Sequence, residues 1–210
     1  MYGIILLIIC ASLESMAQAK VPNGDFNEFE TVSQNGHTYD LPTHWKEQQK
    51  NEFWRSRDGH GFVYKYDLPD ADGSAIALHR GCPQSHIIEE NALLSSFSIP
   101  EKGKNLRLVG RYKFSGSDIQ QATDTLRVAV FSTPEQLQHV PDILPKHATV
   151  LDLVVPTAQF EWFHLDMDEI EEDNYLTIVI QLKSGSDDSY YWGYTNAVID
   201  DLEFVTKRNS

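Results

Sequence analysis

The sequence predicts an all-β chain folded as an antiparallel sandwich of two sheets, and three observations carry that reading. Apolar and polar residues alternate with the period of a strand: Leu106, Leu108, Gly110, Tyr112 and Phe114 interleave with Arg107, Val109, Arg111 and Lys113. Leu126, Val128 and Val130 repeat the pattern in the next strand. Turn signals recur at close spacing and divide the chain into about ten short strands. A single stretch, Thr133-Pro-Glu-Gln136, has a capping-box pattern with Pro at the first helical position, so one short helix is expected through His139.

The elements follow in order. Gly3 to Leu13 is almost wholly apolar, and small and polar residues then lead to Ala17-Gln-Ala19. Such a run is shorter than the roughly 20 apolar residues a membrane-spanning helix needs, so residues 1–19 are expected to be a cleaved export signal with no transmembrane span. Its first residues lack Lys and Arg, and Leu7-Ile-Ile-Cys10 loosely offers a lipid-modified alternative in which Ile9 is too large. Residues 20–210 are then expected to be one domain.

Asn23-Gly-Asp25 is a turn signal leading into a strand with Phe26 and Glu28 on one face and Asn27 and Phe29 on the other. Residues 31–43 are polar and turn-rich. Lys46 to Phe53 is either a short strand or an exposed loop between Trp45 and Trp54. Strands are expected over 62–66 and 74–78, and 87–99 holds two short strands or one bent one. Further strands cover 150–155, 160–165 and the β-branched run 175–182. The last strand, Asn196 to Val205, puts Val198, Leu202 and Phe204 on one face and Ile199 and Val205 on the other. Asp200 and Asp201 sit in its middle, where carboxylates need hydrogen-bond donors, a basic partner or a hard cation.

Composition narrows the function. The 210 residues are 41% hydrophobic and 23% charged, ordinary for a globular chain. A net charge of −14 and the absence of a basic patch with interleaved aromatics argue against nucleic acid as a partner. After export only Cys82 remains of two cysteines, so stability must come from the core or from a metal. Cys82 with His79 and His86 lacks the paired half of a zinc site and reads as a thiol in a turn.

Four short stretches together resemble the galactose-binding-like jelly rolls: Asn23-Gly-Asp-Phe26, Pro42-Thr-His-Trp45, Leu106 to Phe114, and Val198-Ile-Asp-Asp-Leu202. That group includes secreted carbohydrate-binding modules and the carbohydrate-metabolism domains of Bacteroidetes-type surface proteins. The resemblance implies a jelly-roll β-sandwich that is secreted, periplasmic or at the cell surface, with a glycan or surface polysaccharide as partner. It also implies a structural Ca2+ tying the first strand to the last, at Asp25 and Asn27 with Asp200 or Asp201. The family's Glu after the Phe is here Asn27, a neutral and weaker ligand for an ion that takes about six to eight oxygens.

A sugar presents flat C–H faces and directional hydroxyls, so its binder combines aromatic platforms with carboxylates, amides or Arg. Two stretches qualify: Trp54 with Arg55, and Tyr190, Tyr191, Trp192 and Tyr194 beside Asp187-Asp188. Trp45 and Trp162 read as core residues. Catalysis is not expected. Glu89-Glu90 and Glu171-Glu172-Asp173 could serve a glycoside hydrolase or lyase, but adjacent strand residues face opposite ways and acidic runs are usually solvated. No nucleophile elbow, zinc-protease helix or phosphate-cradling loop is present. The remaining alternative is a cell-surface accessory domain with a protein partner.

Overall fold

The computed structural model describes residues 20–34, 37–49, 63–68, 73–80, 91–98, 106–116, 124–154, 157–167, 175–183 and 195–206. The strands are β1 (Phe29–Gln34), β2 (His37–Pro42), β3 (Lys46–Gln49), β4 (Val63–Asp67), β5 (Ser74–Arg80) and β6 (Asn91–Ser98). They continue as β7 (Leu106–Gly116), β8 (Thr125–Thr133), β9 (Thr149–Leu153), β10 (Glu161–Asp166), β11 (Tyr175–Lys183) and β12 (Thr195–Thr206). Two five-stranded antiparallel sheets result, in the orders β10-β7-β12-β5-β4 and β3-β6-β11-β8-β9, beside the hairpin β1-β2. This is the expected two-sheet jelly-roll sandwich.

Alternation builds the core. In β7 Leu108, Tyr112 and Phe114 are buried, and Arg107, Val109, Arg111 and Lys113 face outward. The inner faces of the two sheets meet where Phe97 of β6 reaches Phe204 of β12, ring centroids 6.4 Å apart. Trp45 is core, as expected, tilted against Phe26 at 5.3 Å with its indole N–H donating to the Pro22 carbonyl at 3.1 Å.

Four local expectations need correction. Residues 134–140 form no helix: the Leu137 N–H donates to Ser96 Oγ, the Val140 N–H to the Gln48 side chain, and the Gln136 amide to the Ser96 carbonyl. Tertiary acceptors on β3 and β6 replace the i−4 carbonyls that a helix would supply. The first strand begins at Phe29, because Phe26 is in the left-handed region (φ 45°), the Glu28 N–H donates to Asn23 Oδ1, and Asn27 Oδ1 accepts from the Ser74 N–H. Residues 31–43, read as turn-rich, contain most of the hairpin β1-β2, and Asn35-Gly36 between the strands was its signal.

The fourth correction positions the site. In β12 the register jumps from Asp200 opposite Arg111 to Glu203 opposite Val109, with Asp201 at φ 52°. This bulge puts one extra residue into the strand and resets its faces. Ala197, Ile199, Leu202 and Phe204 therefore all enter the main core, while Val198 joins Ala75 and Ala77 on the outer face. Gly110 lies across from the bulge, where a Cβ would come within 2.6 Å of Leu202 Cδ2 and 2.8 Å of the Phe163 ring.

Candidate functional site

The bulge joins the two ends of the described chain. Leu202 N–H, freed from the strand ladder, donates to the Gly24 carbonyl at 2.8 Å. A Cβ on Gly24 would lie 2.0 Å from the Leu202 carbonyl oxygen, so only glycine permits this approach. Asn23, at φ 47°, fixes the segment by donating to the Glu28 and Thr43 carbonyls at 2.6 and 3.2 Å.

Where the N-terminal segment crosses β12, a cleft of about 600 Å³ opens, lined among others by Lys20, Asp25, Trp162, Asp201 and Glu203. Trp162 is 67% exposed, which overturns its reading as core. Its neighbours explain the difference: Phe163 and Leu165 take the inner face of β10, and Trp162 shares the outer face with His164 and Asp166. That polar company was visible in the sequence.

Beside the cleft, Arg111 holds the acid pair. Its Nη2 donates to Asp200 Oδ2 at 2.6 Å, its Nε lies 2.9 Å from Asp201 Oδ2, and its guanidinium sits over the Phe160 ring at 4.7 Å from the centroid. Asp200 is 2% exposed and its Oδ1 has no hydrogen-bond partner among the described residues. Burial pushes its carboxyl above the ordinary value of 3.8, and the hydrogen bond from Arg111 opposes that rise without cancelling it; the charge of Asp201 adds to it.

The four side chains expected at calcium stand close along the chain ends without forming one ligand set. Asp200 and Asp201 share Arg111, Asn27 Oδ1 accepts from Ser74, and Asp25 is exposed at the cleft. Among the described residues no group of three or more His, Cys, Asp or Glu could hold a metal ion. Of the three ways to satisfy the acid pair, the basic partner is the one the described residues supply.

The rest of this outer face is engaged otherwise. Tyr64, Tyr66 and Phe160 pack over Ala75, Ala77 and Val198, and Lys113 donates to Tyr66 Oη at 3.0 Å with its ammonium over both the Tyr66 and Phe160 rings. His79 Nδ1 and Asn196 Oδ1 are 2.6 Å apart at one end. The expected ligand-binding residues Trp54, Arg55, Tyr190, Tyr191, Trp192 and Tyr194 lie outside the described residues, as do Cys82, His86 and the acidic candidates Glu89, Glu90, Glu171, Glu172 and Asp173. Residues 1–19 do too, and among the described residues no helix is long and apolar enough to cross a membrane.

No family model and no curated protein matches the chain. Solved structures do. A candidate glycoside hydrolase from Bacteroides thetaiotaomicron superposes with a TM-score of 0.55 at 11% identity, over 88% of this chain and 71% of its own. A family 61 carbohydrate-binding module solved with β-1,4-galactotriose superposes with a TM-score of 0.50 at 10% identity, over 90% of this chain and 99% of its own. At these identities the likeness is one of fold, the two-sheet jelly-roll sandwich.

Proposed function

We propose that this chain is an exported carbohydrate-binding domain that holds a glycan without cleaving it, and that the glycan lies in the cleft beside Trp162. The observation that carries the reading is an exposed tryptophan lining a cleft together with Asp25, Asp201 and Glu203. An indole face stacks on the C–H face of a pyranose, and carboxylates accept hydrogen bonds from its hydroxyls. The volume of about 600 Å³ suits a small ligand or a short run of sugar rings.

The state of the acids supports binding. Asp201 is ion-paired to Arg111, which holds its carboxylate in place to accept hydrogen bonds from a sugar. In this reading Arg111 also supplies the positive charge that a calcium ion was expected to bring. The fold of the two solved neighbours, one of them a module with a bound galactotriose, supports a glycan as the ligand class and a surface or secreted location.

A glycan-array screen of the domain tests this. The expected result is a hit that weakens at least about tenfold in Trp162→Ala, the loss of about 1.4 kcal/mol that removing one stacking anchor should exceed. A parallel Trp192→Ala variant tests the loop aromatics. Silence across plant, host and microbial glycans would replace this reading with a protein partner.

A further inference from the structure

The opposite face of the sandwich carries its own cleft. Residues 134–148 lie across the outer side of the second sheet, with Leu137, Val140, Leu144 and Ala148 packed on Leu94, Ala129, Phe131 and Val179. That cover ends where the sheet turns polar. One residue from each strand forms the next cross-strand row: Gln48 pairs with Ala92, Ala92 with Gln181, Gln181 with Arg127, and Arg127 with Asp152. Side chains paired in register point to the same face, so four polar groups stand in line around one small residue.

Between this row and the cover is a cleft of about 340 Å³, lined by Gln48, Arg127, Asp142 and Lys183 among others. Its charges divide unequally. Arg127 forks onto Asp152 with two bonds of 2.7 Å, which together hold the Asp152 carboxyl below its ordinary value; the nearby charge of Lys183 contributes less. Lys183 itself has no carboxylate within ion-pair distance among the described residues. Gln48 accepts the Val140 N–H with its oxygen, which leaves its amide N–H groups facing the cleft as donors. Exposed Asp142 is the acceptor at the rim.

We propose that this second cleft binds a saccharide unit bearing a carboxylate, a uronic acid, with the carboxylate on the Lys183 ammonium and ring hydroxyls between the Gln48 amide and Asp142. Among the described residues the ammonium has no carboxylate partner, and a uronate supplies both a charged acceptor and neutral hydroxyls. Among the described residues no aromatic lines this cleft, so the binding they provide rests on charge and hydrogen bonds and is sensitive to salt.

The test is a calorimetric titration of the full chain with oligogalacturonate at low salt, beside the neutral oligogalactose of equal length. Lys183→Gln should weaken oligogalacturonate at least about tenfold, with Trp162→Ala changing it less, and raising the salt should abolish the binding that Lys183 carries. Oligogalacturonate binding that survives Lys183→Gln, or that Trp162→Ala alone eliminates, overturns this second site while leaving the first intact. Absence of any oligogalacturonate binding to wild type at millimolar concentration overturns it as well, whereas loss of neutral-glycan binding alone bears on the Trp162 cleft. Lys183→Arg, which keeps the charge, should restore binding, and its failure to do so would also count against the site.

Discussion

Arg111 and Trp162 are the residues whose physics is most exposed to test. Arg111 neutralises a carboxylate that is almost fully buried, so Arg111→Met should cost up to about 3 kcal/mol by leaving Asp200 unpaired. The pH dependence has a definite sign. Because the folded-state value of Asp200 is raised, the native state binds its proton more tightly than the unfolded chain. The contribution of this group is complete below the unfolded value near 3.8 and is lost as pH rises through the folded value. Without Arg111 the rise is larger, so urea denaturation should show the gap between Arg111→Met and wild type narrowing as pH falls from 7 toward 4. A gap that stays constant would mean that Asp200 is not the group being left unpaired. Trp162→Ala, at a largely exposed position, should shift stability by no more than about 0.5 kcal/mol, which separates loss of binding from loss of fold. At this scale the sequence was partly legible: the need of Asp200 and Asp201 for a partner was plain, but the partner is contributed by a strand some ninety residues away, which spacing along the chain cannot reveal. Trp162 was misread as core because it stands in an alternating strand; the polarity of His164 and Asp166 on the same face marks that face as the outer one.

At the scale of elements, the bulge in β12 decides the most. Strict alternation would put Phe204 on the face of Asp200; the extra residue lets Ile199 and Leu202 both reach the core, while Asp200, ahead of the bulge, stays on the outer face with Arg111. The bulge also holds the Gly24 carbonyl. Gly24→Ala should therefore destabilise the chain by about 1–3 kcal/mol, read from the urea midpoint, since a Cβ would overlap the Leu202 carbonyl. A neutral Gly24→Ala would mean that the two segments do not meet this closely. Strands with clear alternation, β7, β8 and β11, were legible because one face of each is buried. The segment after β8 was not: its capping-box pattern is local, and it was outcompeted by acceptors on β3 and β6, distant in sequence, together with an apolar docking face on Leu94 and Val179.

For the whole molecule, the fold was legible from periodicity and turn spacing, and the resemblance already brought Asp25 and Asp201 together at the chain ends, while the part of Trp162, Lys20 and Glu203 in the cleft was not legible. The same meeting bears on metal. With Arg111 already between the two acids, a chelator should leave the melting temperature unchanged, and a fall on chelation would restore calcium to the chain ends. The central claim, that a glycan rests on Trp162, is tested most directly by following the indole N–H resonances in an NMR titration with an oligosaccharide the domain binds. The account predicts that the Trp162 signal moves together with the backbone signals of Gly24 and Asp201; movement confined to other signals, with Trp162 still, would contradict it.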